Sequence, residues 1–555
     1  MHGCRLAYFI VSEKRVVEEP SVSPNGGPQD ATPLTVSPIG FDWMFGRTRV
    51  PLPADNQAMK DKLIALGTLM NKPQGGDDGD GDSDIFAGYT YLGQFIAHDI
   101  THDKKDNQLA ADLDITNLST PEVDLDSLYG GEDGPTTHPE LYWKDGVRLM
   151  TRETVPGDFS KTFMNDLPRG TNDRPLKALI GDARNDENLA VAQTHVAFIY
   201  FHNSVVEKLK NEGCPADKLF KTAREEVILH YQWIIVHDFL PKLVRTDVLE
   251  SVMSDEASWF KGDADGVLYM PLEFSAAAFR IGHSMVRDVY QWNSRRRTGG
   301  LDRAARLTDL FTQTGSNKNG FNGQLGLTSD WVIDWRHFYD FDPLNVYKPV
   351  ERNMAAKLNT IFDMHLDTIT GFPDENIDKM QKAITVRNLL RGFYLGLVTG
   401  EEAAQRLGVT PLTPEQVAEG PHRSLLEDPL LLGRTPLWYY VLKESELLGF
   451  GRDGKTPANR LGPVGGRIVA STLLGLIRQS RHSIFKDKDW RPRFGRPADA
   501  AAGTPAKFEI IDLLYCADVV APLAAHQGHY PGDANIKEYR RDAAAPGERS
   551  AQAAN

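Results

Sequence analysis

The sequence predicts a mainly α-helical protein built as one large domain, with long loops and little β structure. Three observations carry this expectation. Long segments repeat apolar residues at helical spacing: Leu189 to Lys210, Ala223 to Val244, Pro271 to Val289, Glu351 to Ile369, Ile377 to Leu397 and Arg467 to Arg478. Strictly alternating apolar and polar runs, the mark of half-buried strands, are scarce. Gly-Pro, Asn-Gly and Asp-Gly pairs separate the helical segments, and no linker-like stretch divides the body.

The ends read differently. Residues 18–40 are rich in Pro, Gly, Ser and charge, so residues 1–40 are predicted to be a flexible arm, residues 41–530 the folded domain and residues 531–555 a polar, disordered tail. The acidic loop Gly75 to Asp84 has the composition of a calcium loop. An EF-hand needs a bidentate Glu at the twelfth position from Asp78, where Tyr89 stands, so the loop reads as solvated.

Composition narrows the function. The chain has 555 residues, 41% apolar and 25% charged, and a net charge of −14. Nucleic acids and anionic membranes attract a positive field, so neither is an expected partner and a small substrate is. Three scattered cysteines, Cys4, Cys214 and Cys516, offer neither a disulfide framework nor a Cys-rich metal site. No run of about 18 apolar residues predicts a membrane span. The patch Leu6 to Val11 is too short for a signal peptide and is soon followed by Glu13, Lys14 and Arg15. The expected location is cytoplasmic, or exported without a recognisable signal.

The segment Tyr89 to Asp103 is the first with chemistry in it. As a helix it brings Gln94 and His98 onto one face, with Asp99 pointing about 100° away. Three readings fit: a core helix whose polar groups satisfy local hydrogen bonds, a zinc helix using His98 and His102, and the distal wall of a haem pocket. The zinc motif needs Glu where Asp99 stands, and the shorter carboxylate would sit about one methylene too far from a metal-bound water.

A haem peroxidase needs a distal base, a cation to polarise peroxide, an axial ligand and a partner fixing that ligand. His98 is the candidate base, with Gln94 one turn away to order a water or halide. Arg184, followed at i+3 by Glu187, precedes the helix starting near Leu189, and its permanently charged fork suits a developing anion. A surface salt bridge is the plainer reading of that pair. His283 lies in an apolar segment, Ala277 to Val286, that suits an axial ligand entering a dry pocket, or equally a satisfied core histidine. Asn388, in the apolar run Thr385 to Arg391, is placed to accept a hydrogen bond from the second ring nitrogen of His283.

These motifs together resemble the animal-type haem peroxidase superfamily. The resemblance is carried by Gly93-Gln94-Phe95-Ile96-Ala97-His98-Asp99, Gly181-Asp182-Ala183-Arg184-Asn185-Asp186-Glu187, Phe279-Arg280-Ile281-Gly282-His283, and Asn388-Leu389-Leu390-Arg391 with Gly396 and Leu397, in the family's order. It covers roughly residues 40–530, with intervals typical of the compact bacterial branch. It implies a large, single-domain helical haem peroxidase fold. The implied activity is reduction of hydrogen peroxide through an oxoferryl intermediate, with oxidation of small phenolic, aromatic or halide donors. The implied cofactors are haem b and Ca²⁺. The family's calcium site would join Asp99 to Thr120, the Glu122 carbonyl, Asp124 and Asp126, all hard oxygen donors.

The chain also departs from the family. Mammalian members tie haem by esters from an Asp just before the distal His and from a Glu three after the distal Arg. The first position here is Ala97 and the second is Glu187, so the haem is held by at most one ester. Asn188 stands where myeloperoxidase has its sulfonium-forming Met. The fatty-acid dioxygenase branch uses a Tyr before an Arg; here Trp335 precedes Arg336, and Tyr339 lies close by as a substitute. An adhesion or matrix protein on the same scaffold is the non-enzymatic alternative, which has no need of His98, Arg184, His283 or Asn388.

Overall fold

The computed structural model describes residues 40–46, 56–72, 82–101, 119–157, 162–170, 176–263, 266, 268–293, 304–317, 320–341, 352–354, 361–362, 383–450, 460–494 and 507–520. Apart from Gly40, the predicted arm lies outside these residues, as do the predicted tail, His102 and most of the acidic loop.

The longer helices are α1 (Asn56–Met70), α2 (Gly88–Ile100), α3 (Leu189–Asn211), α4 (Leu219–Ile234), α5 (Thr246–Ser254), α6 (Ile384–Tyr394), α7 (Leu437–Leu448), α8 (Pro463–Gln479) and α9 (Ile510–Cys516). Among the described residues strand is confined to short pieces, β1 (Phe41–Asp42), β2 (Asn71–Lys72), β3 (Asp82–Phe86), β4 (Met270–Pro271), β5 (Val289–Gln291), β6 (Ala304–Arg306), β7 (Arg352–Met354) and β8 (Ile361–Phe362). They pair two by two as β1·β4, β2·β8, β3·β7 and β5·β6. The mainly helical expectation holds.

The centre is α3, which packs against α2, α4 and α9. Its start is set by Asn188, whose side chain accepts from the Ala190 amide at 2.8 Å, and Lys208 and Lys210 lie in its last turn, where cations suit the helix dipole. Phe95 of α2 stacks on Phe198 of α3 at 4.7 Å, and Tyr231 of α4 meets both edge-on. Each such pair contributes about 0.5–1.5 kcal/mol beyond area burial. This aromatic trio fixes α2 against the rest of the core.

On the opposite flank, Glu444 of α7 caps α8. Its carboxylate accepts from Val464 N at 2.9 Å and Gly465 N at 3.1 Å, in place of a side chain from the Gly462 cap itself. Burial pushes Glu444 up to about 7 against those bonds.

The predicted helix from Ala223 to Val244 is interrupted. After α4 the backbone widens into a π turn over Ile235–Phe239 before one further α turn, Leu240–Leu243. Two other expected helices are corrected. Pro271 to Val289 folds as one α turn, Leu272–Ser275, and a 3-10 helix, Ala278–Ser284, flanked by β4 and β5. Glu351 to Ile369 contributes β7 and β8, and its remaining residues lie outside those described. In the first, apolar spacing signalled burial, and the strand pairs β1·β4 and β5·β6 at its ends leave only short turns between. Among the described residues no helix is long and apolar enough to cross a membrane.

Candidate active site

Helix α2 supplies one wall of a cavity of about 790 Å³, counting its open mouth. At about 100° per residue, Gly93, Ala97, Thr90 and Gln94 share a face, with Tyr89 at one edge and Tyr91 and His98 at the other. All of these except His98 line the cavity. The facing wall is Phe279, Ile281, Gly282 and His283 from the 3-10 helix, and Phe239, Leu243, Val286, Leu307 and Phe311 extend it with apolar surface. A Cβ added at Gly282 would meet nothing within 4 Å, so this glycine opens onto the cavity.

His98 is completely buried beside that wall. Its Nδ1 lies 2.8 Å from Oδ1 of Asn185, and Nδ2 of the same amide lies 3.0 Å from Nδ1 of His195. An amide oxygen only accepts and an amide nitrogen only donates, so His98 carries its proton on Nδ1 and keeps Nε2 as an acceptor. Burial depresses His195 to about 3, which keeps it neutral.

Arg184 sits on a 3-10 turn, Ala183–Asp186, capped by Asp182. Its Nε bonds both Asp182 oxygens at 3.0 Å, and Nη2 donates to Asp182 Oδ2 at 2.5 Å and to the His98 carbonyl at 2.8 Å. Nη1 is buried and has no hydrogen-bond partner among the described residues. A guanidinium held on two sides with one buried donor free is prepared for an anion. Asp186 pins the same turn through Arg169, at 2.6 Å. Glu187 is buried at the end of the turn but does not line the cavity, whereas Asn188 does.

His283 is buried, and that burial together with Arg280 holds its pKa well below the usual histidine range. Asn388 of α6 lies 2.8 Å from His283 Nδ1, the expected contact, but its direction is corrected. Arg280 Nη1 donates to Asn388 Oδ1 at 2.6 Å, so the amide presents Nδ2–H to the ring and Asn388 donates where it was expected to accept. Arg280, spaced three before His283, is the residue that reverses the amide.

Asp99 and the segment Thr120 to Ser127 also come together. Asp99 accepts from Leu125 N at 3.2 Å and from Ser127 Oγ at 3.3 Å, and Thr120 Oγ1 donates to Asp124 at 3.2 Å and Asp126 at 2.9 Å. Leu125 takes a left-handed φ of 59°, uncommon for a leucine, to make this turn. Gly181 is needed where the Arg184 segment crosses it, since a Cβ there would stand 2.6 Å from the Asp126 carbonyl. Burial and repulsion from Asp126 push Asp99 up to about 7. Glu122 is turned to the Arg481 amide at 2.6 Å, and Arg224 stands 3.6 Å from Asp124. Among the described residues no group of three His, Cys, Asp or Glu side chains stands ready to hold a metal.

Of the predicted residues, Gln94 and His283 line the cavity; His98 and Arg184 are joined through the His98 carbonyl and Asn388 contacts His283, all three outside the lining, while Asn185, His195 and the role of Arg280 escaped sequence reasoning. Their only signal was polar residues inside apolar helical runs. Tyr339 and Trp335 are buried, with Tyr339 packed behind Tyr89 at 5.2 Å and outside the cavity lining.

A profile described as animal haem peroxidase matches residues 113–328. The chain is 31% identical over 149 residues to a peroxidase-like protein of Margaritifera margaritifera, covering 26% of this chain and 18% of that protein. The chain thus spans less than a fifth of that relative. Among solved structures, peroxidase A of Dictyostelium discoideum aligns with a TM-score of 0.51 at 14% identity, over 76% of this chain and 83% of that one. A fatty acid alpha-dioxygenase of Oryza sativa aligns with a TM-score of 0.52 at 13% identity, over 86% and 80%. In its motifs and over residues 113–328 the chain is thus similar to the animal haem peroxidases.

Proposed function

We propose that the protein is a haem peroxidase that reduces hydrogen peroxide and oxidises small phenolic or other aromatic donors, or halide. One observation carries this reading: on α2, which walls an apolar cavity lined on its other side by His283, His98 holds Arg184 through its carbonyl, and the buried Nη1 of Arg184 has no hydrogen-bond partner among the described residues. The residues fit haem. His283 is a neutral imidazole facing an apolar slot, Gly282 leaves space beside it, and Arg184 offers a buried positive donor. Ligation through Nε2 of His283 asks the Asn388 amide to turn and accept from Nδ1, which would release the grip of Arg280.

When bound, haem supplies the redox chemistry of O–O cleavage. The chain's own part is proton handling and charge stabilisation. Nε2 of His98 takes a proton from peroxide and returns it to the departing oxygen, while Nδ1–H stays anchored on Asn185. Arg184, unable to lose its charge, would stabilise the negative charge that develops on the departing oxygen before the proton reaches it. Gln94, on the cavity wall, orders a water or halide there.

Calcium fits the donor chemistry of Asp99, Thr120, Asp124 and Asp126, which are all hard oxygens, with the Glu122 carbonyl as the further ligand. Glu187 is the side chain the family resemblance offers for a haem ester, although it lies outside the cavity lining. A second reading, fatty-acid dioxygenase, draws on the apolar extension formed by Phe239, Leu243, Val286 and Phe311.

A visible absorption spectrum tests the main reading. The purified protein with haem should show a Soret band with a histidine-ligated iron; no uptake of haem would overturn the proposal. Unmodified protoporphyrin in an acid extract would exclude the Glu187 ester. Oxygen consumption with linoleate in the absence of peroxide would favour the dioxygenase.

A further inference from the structure

Tyr89 stands at the edge of the cavity opposite His98, nine residues and therefore about 13 Å along α2. Its hydroxyl donates to Oδ1 of Asp238 at 2.7 Å. Asp238 is itself 1% exposed, and its other oxygen accepts from the Ile510 amide at 2.9 Å. The carboxylate reaches this position from the π turn after α4, a helix defect common at functional sites. A buried phenol bonded to a buried carboxylate on the wall of a redox cavity is more than packing requires.

We infer that Tyr89 and Asp238 form a redox-active pair, in which Tyr89 gives an electron to the oxidised haem and its phenolic proton to Asp238. The inference rests on the peroxidase reading for its oxidant, a haem already oxidised by peroxide. The O–H bond of Tyr89 breaks, an O–H bond forms on Asp238 Oδ1, and one electron leaves the ring. The result is a neutral tyrosyl radical beside a neutral carboxylic acid. An electron from an external phenol, which sheds its own proton to water, restores Tyr89 as Asp238 hands the proton back.

The environment favours this tyrosine over its neighbour. Tyr91 also lines the cavity, but its ring faces the phenol of Tyr290 at 5.8 Å, and among the described residues no carboxylate is bonded to its hydroxyl. A cation near a ring resists its oxidation, and Lys242 lies 5.8 Å from the Tyr89 centroid. The carboxylate at 2.7 Å from the hydroxyl is much nearer, and Coulomb energy falls with distance, so the proton acceptor dominates. Burial holds Asp238 up to about 6, ionised at neutral pH yet ready to be protonated. Behind Tyr89, Tyr339 at 5.2 Å and then Trp335 at 5.9 Å continue an aromatic path along which the electron hole can spread. Gly88 makes room for that path, since a Cβ there would stand 2.2 Å from the Tyr339 ring.

Freeze-quench electron paramagnetic resonance of the haem-loaded full chain with peroxide tests the pair. A tyrosyl signal is expected in the parent protein and in Tyr91→Phe, and its loss in Tyr89→Phe; full intensity in Tyr89→Phe overturns the inference. Asp238→Asn, which keeps the phenol, should lower the radical yield at least tenfold, and an unchanged yield removes the carboxylate. Flash photo-oxidation of the haem-free chain gives an independent arm. It should produce an infrared band of a newly protonated carboxyl that is absent in Asp238→Asn. That band appearing in a chain that does not take up haem would leave the pair standing and end the peroxidase reading; its absence overturns the pair.

Discussion

Asn185 holds His98 by a 2.8 Å hydrogen bond to Nδ1, and the same amide reaches His195 at 3.0 Å. The three side chains are fully buried, so no water competes for those bonds. The tautomer of the His98 ring is therefore set by an amide and a second histidine behind it.

Replacing Asn185 by Ala should free His98 to rotate and to exchange tautomers. Outer partners of this kind are worth about 10–100-fold, so the second-order rate of peroxide reaction, followed by stopped-flow at the Soret band, should fall by that much with haem binding unchanged. His98→Ala should fall further, since general acid–base catalysis contributes about 10²–10⁴-fold. An Asn185→Ala enzyme as fast as its parent would show that the bond is structural only.

That bridge also marks where the sequence stopped being readable. Helix periodicity located α2, α3 and the segment of α6 carrying Asn388, because each buries a long apolar stripe. It could not find Asn185 or His195, since a buried hydrogen bond between residues ten apart, on a 3-10 turn and a helix, leaves no periodic trace. It also misjudged Pro271 to Val289: the apolar run was buried as expected, but pairing of β4 with β1 and β5 with β6 leaves only short turns between. The reversed amide of Asn388 depended on Arg280, whose role needs three dimensions to see.

On the facing wall, His283→Ala should abolish the Soret band, and Asn388→Ala should keep it with haem affinity about 10–100-fold weaker. Haem titration monitored by absorbance separates the two. Equal affinity in Asn388→Ala would mean that the 2.8 Å contact does not persist with haem in place.

Asp238 gives a pH signature for folding. Its pKa is raised from 3.8 to about 6, chiefly by burial, so folding favours the protonated form. The stability this group contributes is whole below pH 3.8, declines through the interval up to about pH 6 and is absent above it, a loss of about 3 kcal/mol. Asp238→Asn, always neutral, should track the parent at pH 4 and become relatively more stable by about that amount at pH 7.5. Urea melts at both pH values measure this; a pH-independent difference would contradict it.

Calcium should act as a folding ligand of the Asp99 cluster. At a hundredfold excess over its Kd, a bound ion adds about 2.7 kcal/mol. Chelation should lower Tm in the parent and have no effect in Asp126→Ala. A Tm indifferent to chelator in both would dismiss the site.

The π turn over Ile235–Phe239 has a consequence for chain length. A π turn amounts to one residue too many for a regular α-helix. Deleting a single residue such as Val236 would let the helix run straight and swing the downstream residues by about 100°. Asp238 would then leave the Tyr89 hydroxyl while every chemical group in the protein except one valine remained. Separating scaffold from proton acceptor here is a matter of counting residues, and homologous chains one residue shorter at this point would be expected to lack the acceptor altogether.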